Sequence, residues 1–463
     1  MEIFASQEKQ TGFHLLLFDS YRKAFVFSDT TIELRLENEL LRGIGREDVK
    51  ILVVCQHYWP EPYPLSDACE ELARRGHSVH VITGVPNYPM GLIYPEYTRG
   101  RNREQQRAGV RITRTFTIGR RNNVFFRLLN YVSFALSSTW YARRLKEEYD
   151  IVFTNQTSPV LMSSAALAYG KKHGARVVLY CMDLWPASLA AGGIRRDSVI
   201  YRIFEKISAR IYRGTGRILI SSESFRDYLK QEFGIPEDRI RYHPQYTEIS
   251  FRAPRPAAPK TTVDLMFAGN VGAAQSIPTV LKAARLLEER RELRWHILGD
   301  GSELERCRDL AKKLGLTNVI FYGRKDPSEM PEYFAMADVM LLTLTADPLI
   351  SLTLPGKAQA YLAAGKPIIG AADGEIPAMI RKSGCGFCAG AEDEAGLARA
   401  VLAFLDCPDK ARLGENGRRY YEAHFSRARF MDRLEAELTA QAEQEKAERP
   451  AAPRTEAALP LCR

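Results

Sequence analysis

Three short stretches of this 463-residue chain carry groups able to hold or turn over a charged ligand. Gly269-Asn270-Val271-Gly272 follows an apolar run from Val263 to Ala268 and precedes a helical pattern that starts at Ile277. Glycines at a strand end let the backbone approach a diphosphate closely. Ser351-Leu352-Thr353 stands just before a second helical pattern, Leu354 to Ala364, with Lys357 in its first turn. Backbone N–H groups at a helix start, beside a lysine, suit a multiply charged anion. Asp183 ends another apolar run and is followed by Leu184-Trp185-Pro186, which would hold it rigidly. Its carboxylate has two readings, a cap for the next helix or a group facing a bound molecule.

The elements that must position these groups read as alternating strands and helices. From Leu341 to Ala372 the order is strand, polar turn, helix stopped by Gly365, and a second strand from Pro367 to Ala371. Such a βαβ unit brings strand ends and helix starts to one rim. Near the other end, Lys50 to Cys55 predicts a buried parallel strand, Ser66 or Asp67 the cap of a helix through Arg75, Gly76 its stop, and His77 to Thr83 the next strand. Strands are also expected to end at Thr154 to Ser158 and at Asp183, and to run over Arg217 to Ser222, Trp295 to Leu298, Val319 to Tyr322 and Val339 to Leu344. The Pro-rich stretch Phe251 to Thr262 divides them into two sets. The class is therefore α/β, with two Rossmann-like doubly wound parallel sheets.

Several phrases, in order, resemble one family. "SLTLPGKAQAYLAAGKPII" resembles the signature region of family 4 (group 1) glycosyltransferases, and "RRGHSVHVIT", "LGDGSELE" and "VIFYGRKDPSEMPEYFAMADVMLL" resemble other phrases of it. "GVPNYPMG" and "DLWP" resemble the branch that serves bacterial capsule, exopolysaccharide and O-antigen synthesis. The resemblance spans about 49 to 425 and implies the GT-B fold, two Rossmann-like domains facing a cleft. It implies retaining transfer of a sugar from a nucleotide diphosphate donor, UDP-linked, to a lipid-linked or saccharide acceptor, with no cofactor and no metal.

The signature's two acidic positions fall on Ser351 and Gln359, which with Asp183 are the candidate catalytic positions by that resemblance. It adds donor contacts at Gly269, Asn270, Gly272, Gly323, Arg324, Leu352, Thr353 and Glu375, with Tyr322-Gly323-Arg324 holding the base and Glu375 either capping its helix or touching the donor. Gln275-Ser276 stands where many members have Lys-Gly, so Lys357 or Arg324 must meet part of the diphosphate charge. His57 to Tyr63, dense in aromatics and proline, replaces a Gly-Gly loop and reads as a rigid wall on the acceptor side. The expected domains are 49–250, a linker over 251–262, 263–415, helices over 416–442 that return to the first domain, and a disordered tail over 443–463.

Composition narrows the setting. Eight cysteines without a framework point to a reducing cytoplasm, and Cys385-Gly-Phe-Cys388 reads as a tight turn because no second pair accompanies it. Between Arg99 and Lys146 twelve basic residues meet one acid, Glu104, in a chain whose net charge is +9. This segment leads into an aromatic-rich helical pattern from Val124 to Tyr141. Arg120, Arg121 and Arg127 with Phe125, Phe126, Leu129 and Phe134 present what a protein lying on the anionic inner face of a cell membrane presents. The bland alternative is a core helix with a solvated basic flank; no nucleic-acid module is recognisable.

Residues 1–48 show no strand followed by a glycine turn and a helix, and read either as an upstream extension of a chain that starts at Val49 or as an accessory segment. If they are an extension, deleting them leaves melting temperature and activity unchanged; a large fall in melting temperature would show that they pack on the core. Two other functional classes fit the pattern: a dinucleotide oxidoreductase, against which the missing G-x-G-x-x-G counts, and a catalytically silent scaffold of a polysaccharide-assembly complex.

Overall fold

The structure is a computed structural model that describes residues 48–121, 124–191, 193–249, 251 and 260–448. Residues 1–47, most of the expected linker and 449–463 lie outside the described residues. Residues 443–448 of the expected tail instead continue the last helix.

Except at the polar edge hairpin over 104–114, most strands are Val-, Ile- and Leu-rich runs with no polar face, as a sheet covered on both sides requires. The first sheet holds β1 (Lys50–Val54), β2 (Ser78–Thr83), β3 (Glu104–Arg107), β4 (Val110–Arg114), β5 (Ile151–Gln156), β6 (Arg176–Cys181), β7 (Arg217–Ile220) and β8 (Ile240–Tyr242), in the order β3-β4-β2-β1-β5-β6-β7-β8. All its pairings are parallel except β3 with β4. The second sheet holds β9 (Val263–Ala268), β10 (Leu293–Leu298), β11 (Val319–Gly323), β12 (Val339–Thr343), β13 (Ile368–Ala371) and β14 (Gly386–Ala389), in the order β11-β10-β9-β12-β13-β14, all parallel. In each sheet the chain runs outward from an inner strand and then returns to its other side. These reversals, at β1 beside β5 and β9 beside β12, open crevices at the strand ends.

Five helices carry or border the candidate residues: α1 (Leu65–Arg74), α2 (Val124–Arg144), α3 (Ile277–Leu286), α4 (Gly356–Ala363) and α5 (Glu375–Ser383). Two more end the described chain, α6 (Lys410–His424) and α7 (Arg427–Glu448). The expected boundary at 415 falls inside α6. Phe430, Met431, Leu434, Leu438 and Ala442 of α7 share one buried cluster with Ile51, Val53 and Phe153, so the end of the chain completes the core of the first domain.

Neither Ser66 nor Asp67 caps α1, whose N-cap is Pro64 with no side-chain bond. Asp67 instead accepts two hydrogen bonds at 2.7 Å from Arg427 of α7. Arg75 binds Glu71, Asp432 and the buried Glu435 at 2.8, 2.8 and 2.6 Å. Burial alone would raise the Glu71 carboxyl, but bonds from Arg74 and Arg75 outweigh it and hold it at about 2, against an ordinary 4.5. A carboxyl lowered by folding stabilises above its unfolded value and loses that stabilisation as pH falls toward its folded one. The Glu71 contribution is thus complete above about pH 4.5 and gone near 2. Replacing Arg75 by Ala removes one charge-assisted bond from Glu435, which keeps His77 Nε2 at 3.2 Å, and we expect the loss of about 1.5–3 kcal/mol in denaturant unfolding at pH 7. The variant should also lose less than the parent does between pH 4.5 and pH 2; an equal loss in both would mean that Arg75 does not hold Glu71.

The basic segment differs from expectation. Residues 104–114 are not a flank of the helix but the hairpin β3–β4 at the sheet edge, where Arg107 pairs with Glu70 at 2.7 Å and Arg111 with Glu147 at 2.8 Å. Arg114 is buried and donates to the carbonyls of Trp59 and Gly84. On α2, Phe134 is fully buried and belongs to the core, while Phe126 and Leu129 are half-buried. Phe125, Leu128, Leu136 and Trp140 stand 47–68% exposed.

Candidate active site

The ends of β9, β10 and β11 form one rim of the cleft. Gly269 and Gly299 follow β9 and β10, and Gly323 ends β11, with φ of 149°, 136° and 68°, a region that side chains avoid. Gly299 N–H donates to Gly323 O and Gly269 N–H to Leu298 O, each at 2.9 Å. A Cβ on Gly299 would lie 1.8 Å from Gly269 O and one on Gly301 2.4 Å from Val271 O, so backbone meets backbone across the rim. A Cβ on Gly272 would instead meet a side chain, the amide of the exposed Asn270, at 2.6 Å. Tyr322 OH bonds His296 Nδ1 at 2.9 Å, and Arg324 stands exposed beyond Gly323.

Lys357 enters this rim from α4. Its Nζ lies 4.1 Å from the Phe267 ring centroid, bonds Gln275 Oε1, and would be 3.1 Å from a Cβ on Gly269. A cation from another helix thus reaches Gln275, in the turn before α3. Among the described residues no carboxylate pairs with it; desolvation pushes the Lys357 ammonium down to about 7. Thr343 Oγ1 donates to Gln275 O at 2.5 Å and Thr345 N–H to Ala274 O at 3.1 Å, tying the turn before α3 to the end of β12. Lys366, beyond α4, instead donates to Ala337 O at 2.7 Å at the end of a neighbouring helix.

Ser351, Leu352 and Thr353 are half-buried in a single 3-10 turn, Ile350–Leu352, and its extension. Ser351 Oγ donates to Pro348 O at 2.8 Å. Gln359 is buried on α4; its amide, oriented to satisfy both ends, donates to Pro355 O at 2.9 Å and Gly356 O at 3.1 Å. The structure therefore brings Gly269, Gly272 and Lys357 together and leaves Gln359 folded onto its own helix. Glu375, in the first turn of α5, accepts from Ser224 N–H of the first domain at 2.5 Å.

Across the cleft, the Asp183 carboxylate accepts hydroxyls from Ser158 and Ser188, not the N–H groups of the following helix. Trp185 Nε1 donates to Ser158 Oγ at 2.9 Å. In the loop after β1, His57 Nδ1 meets Glu61 Oε2 at 3.0 Å, and Glu61 Oε1 accepts Asn87 N–H at 2.8 Å and Tyr88 N–H at 2.7 Å. His57 stacks on Tyr63 at 4.9 Å. The expected rigid wall is thus a buried carboxylate that ties the loops after β1 and β2. Its sequence signal was the proline-rich run between aromatics; the Asn87 partner carried none.

Among the described residues no group of three His, Cys, Asp or Glu is placed to hold a metal. Burial pushes the Cys385 and Cys388 thiols up to about 11, and both are free.

Two family models match along the chain, "Glycosyl transferase 4-like domain" over 63–245 and "Glycosyl transferases group 1" over 250–420. Together they cover both domains and the cleft between them. The chain is a group 1 glycosyltransferase. Two curated relatives resemble the transferase over most of their own length. WbjE of Pseudomonas aeruginosa, which carries a glycosyltransferase name, is 27% identical over 63% of this chain and 74% of its own. WcaI of Escherichia coli (strain K12), named for colanic acid biosynthesis, is 26% identical over 68% and 82%. Solved structures share the GT-B fold of the transferase at low identity. Sucrose-phosphate synthase from Thermosynechococcus elongatus matches with a TM-score of 0.66 at 16% identity, over 86% of this chain and 100% of that one. Anabaena HepE in complex with UDP matches at 0.62 and 12%, over 84% and 100%.

Proposed function

We propose that this transferase moves a sugar, with retention, from a UDP-linked donor to a lipid-linked or saccharide acceptor in bacterial surface polysaccharide synthesis, while lying on the inner face of the membrane. The observation that carries the donor half is Lys357: a cation with no carboxylate partner among the described residues, set against the Gly269 to Gly272 backbone and the starts of α3 and α4. A departing diphosphate needs its growing charge met, and fixed N–H groups with a desolvated ammonium meet it without a metal or other cofactor. Ser351, Leu352, Thr353 and Asn270 line the diphosphate side, Gly323 and Arg324 the base side, and Asp183 the acceptor side, with no nucleic acid in the reaction. The UDP choice draws on the HepE complex. The acceptor class draws on the polysaccharide names of the relatives and on the basic, apolar face of α2.

The test is incubation with labelled nucleotide sugars and a bacterial membrane lipid fraction. Label entering the lipid phase or a saccharide supports the transferase. No transfer from any donor, with the protein folded, leaves the scaffold reading in its place.

A further inference from the structure

The loop from Ser351 to Thr353 is held from the opposite domain. Ser222, fully buried just beyond β7, donates its hydroxyl to Leu352 O at 2.5 Å and accepts Leu354 N–H at 3.2 Å. One side chain of the first domain thus closes both backbone groups that flank Thr353. Leu349 and Leu352 turn the same way and pack on the first-domain cluster that contains Leu184, Trp185 and Phe225. On the other side of the loop, Gly374 has φ of +71°, and a Cβ there would lie 2.2 Å from Ser351 O. The next residue, Glu375, takes the N–H of Ser224, two residues from Ser222.

The loop's own bonds define its turn and not its seat. The Asp347 carboxylate accepts Leu349 and Ile350 N–H at 2.7 and 3.0 Å, and Thr353 N–H donates to Ile350 O at 3.0 Å. None of these ties residues 352–354 to the glycine rim. Without the Ser222 hydroxyl, Leu352 O and Leu354 N–H would face a buried interface unpaired, and such groups re-aim the backbone to find partners.

We propose that Ser222 is a positioning residue for the donor, holding the diphosphate-facing loop in register from the acceptor domain. The proposal rests on the donor reading of the Lys357 rim. It makes donor affinity depend on a residue of the domain that does not hold the nucleotide.

Calorimetric titration with UDP, dTDP, GDP and ADP identifies the diphosphate that the parent binds tightest, and that one is then titrated into Ser222→Ala and Ser224→Ala. Ser222→Ala is expected to weaken binding about tenfold or more. Ser224→Ala should stay within about twofold, because only its backbone N–H is used. In turnover Ser222→Ala should raise the donor KM by a similar factor and leave kcat at saturating donor unchanged, a split that partial unfolding does not produce. Parent-like binding by Ser222→Ala, or equal losses in the two variants, overturns the proposal while leaving the donor reading intact. A parent that binds none of the four diphosphates overturns the donor reading, and this proposal with it.

Discussion

Lys357→Ala is expected to weaken binding of the nucleotide sugar by about 1.5–3 kcal/mol, or roughly 10- to 150-fold, while Lys366→Ala leaves it near the parent value. Both lysines flank α4, but only Lys357 reaches the glycine rim; Lys366 is spent on helix-end carbonyls. The same contact gives a pH signature. With the free ammonium near 7, Lys357 is charged below that pH and mostly neutral above it. A bound diphosphate favours the charged form, so binding above about pH 7 must take up a proton, and affinity falls as pH rises by up to about tenfold per unit. The pyrophosphate of a nucleotide sugar keeps its charge over this range and adds no slope of its own. Calorimetry in buffers of different ionisation enthalpy would report the uptake at pH 8, and Lys357→Ala should show none. Equal affinities in the two Ala variants would remove Lys357 from the donor site.

How far the sequence reached depended on whether the signal was local. β9 was legible to the residue, because an apolar run bounded by a polar start and a glycine admits one reading. The helix expected over Leu354 to Ala364 is α4, which starts later, at Gly356, because Pro355 is its N-cap. What the sequence hid were meetings across the chain. Lys357 finds Gln275 from 82 residues away, and Ser222 finds the donor loop from 130. No period or cap in either stretch encodes such a pairing. Asp67 shows the converse, a residue with every property of a helix cap whose carboxylate was claimed by Arg427 and Tyr246. The hairpin β3–β4 was missed because its arginines masked the alternation that marks a strand; two of those charges proved to be neutralised within the fold.

That neutralisation sharpens the membrane prediction, because the attraction must come from the arginines left over. Arg121 and Arg127 are exposed, Arg121 with its guanidinium 4.2 Å from the Phe126 ring centroid; Phe125 is 64% exposed, and Arg120 lies 5.9 Å from the Tyr131 ring. Met90 and Leu92 add exposed apolar surface next to them, since Gly91 packs on the Arg121 backbone. Each arginine near an anionic surface contributes about 1 kcal/mol, screened over a Debye length of roughly 8 Å at physiological salt. The apolar contribution of Phe125, Leu128, Leu136 and Trp140 is not screened; Phe134, buried, makes none. Binding to anionic vesicles should therefore weaken without vanishing as salt rises. Replacing Arg120, Arg121 and Arg127 by Glu removes about 3 kcal/mol of attraction and adds repulsion, so vesicle partitioning should fall by about 100-fold or more at physiological salt. Nucleotide affinity should stay at the parent value, because these residues lie on the first domain and the glycine rim on the second. A triple variant that sediments with anionic vesicles as the parent does would make α2 a core helix with a solvated basic flank, and would leave the enzyme to meet its acceptor away from the bilayer.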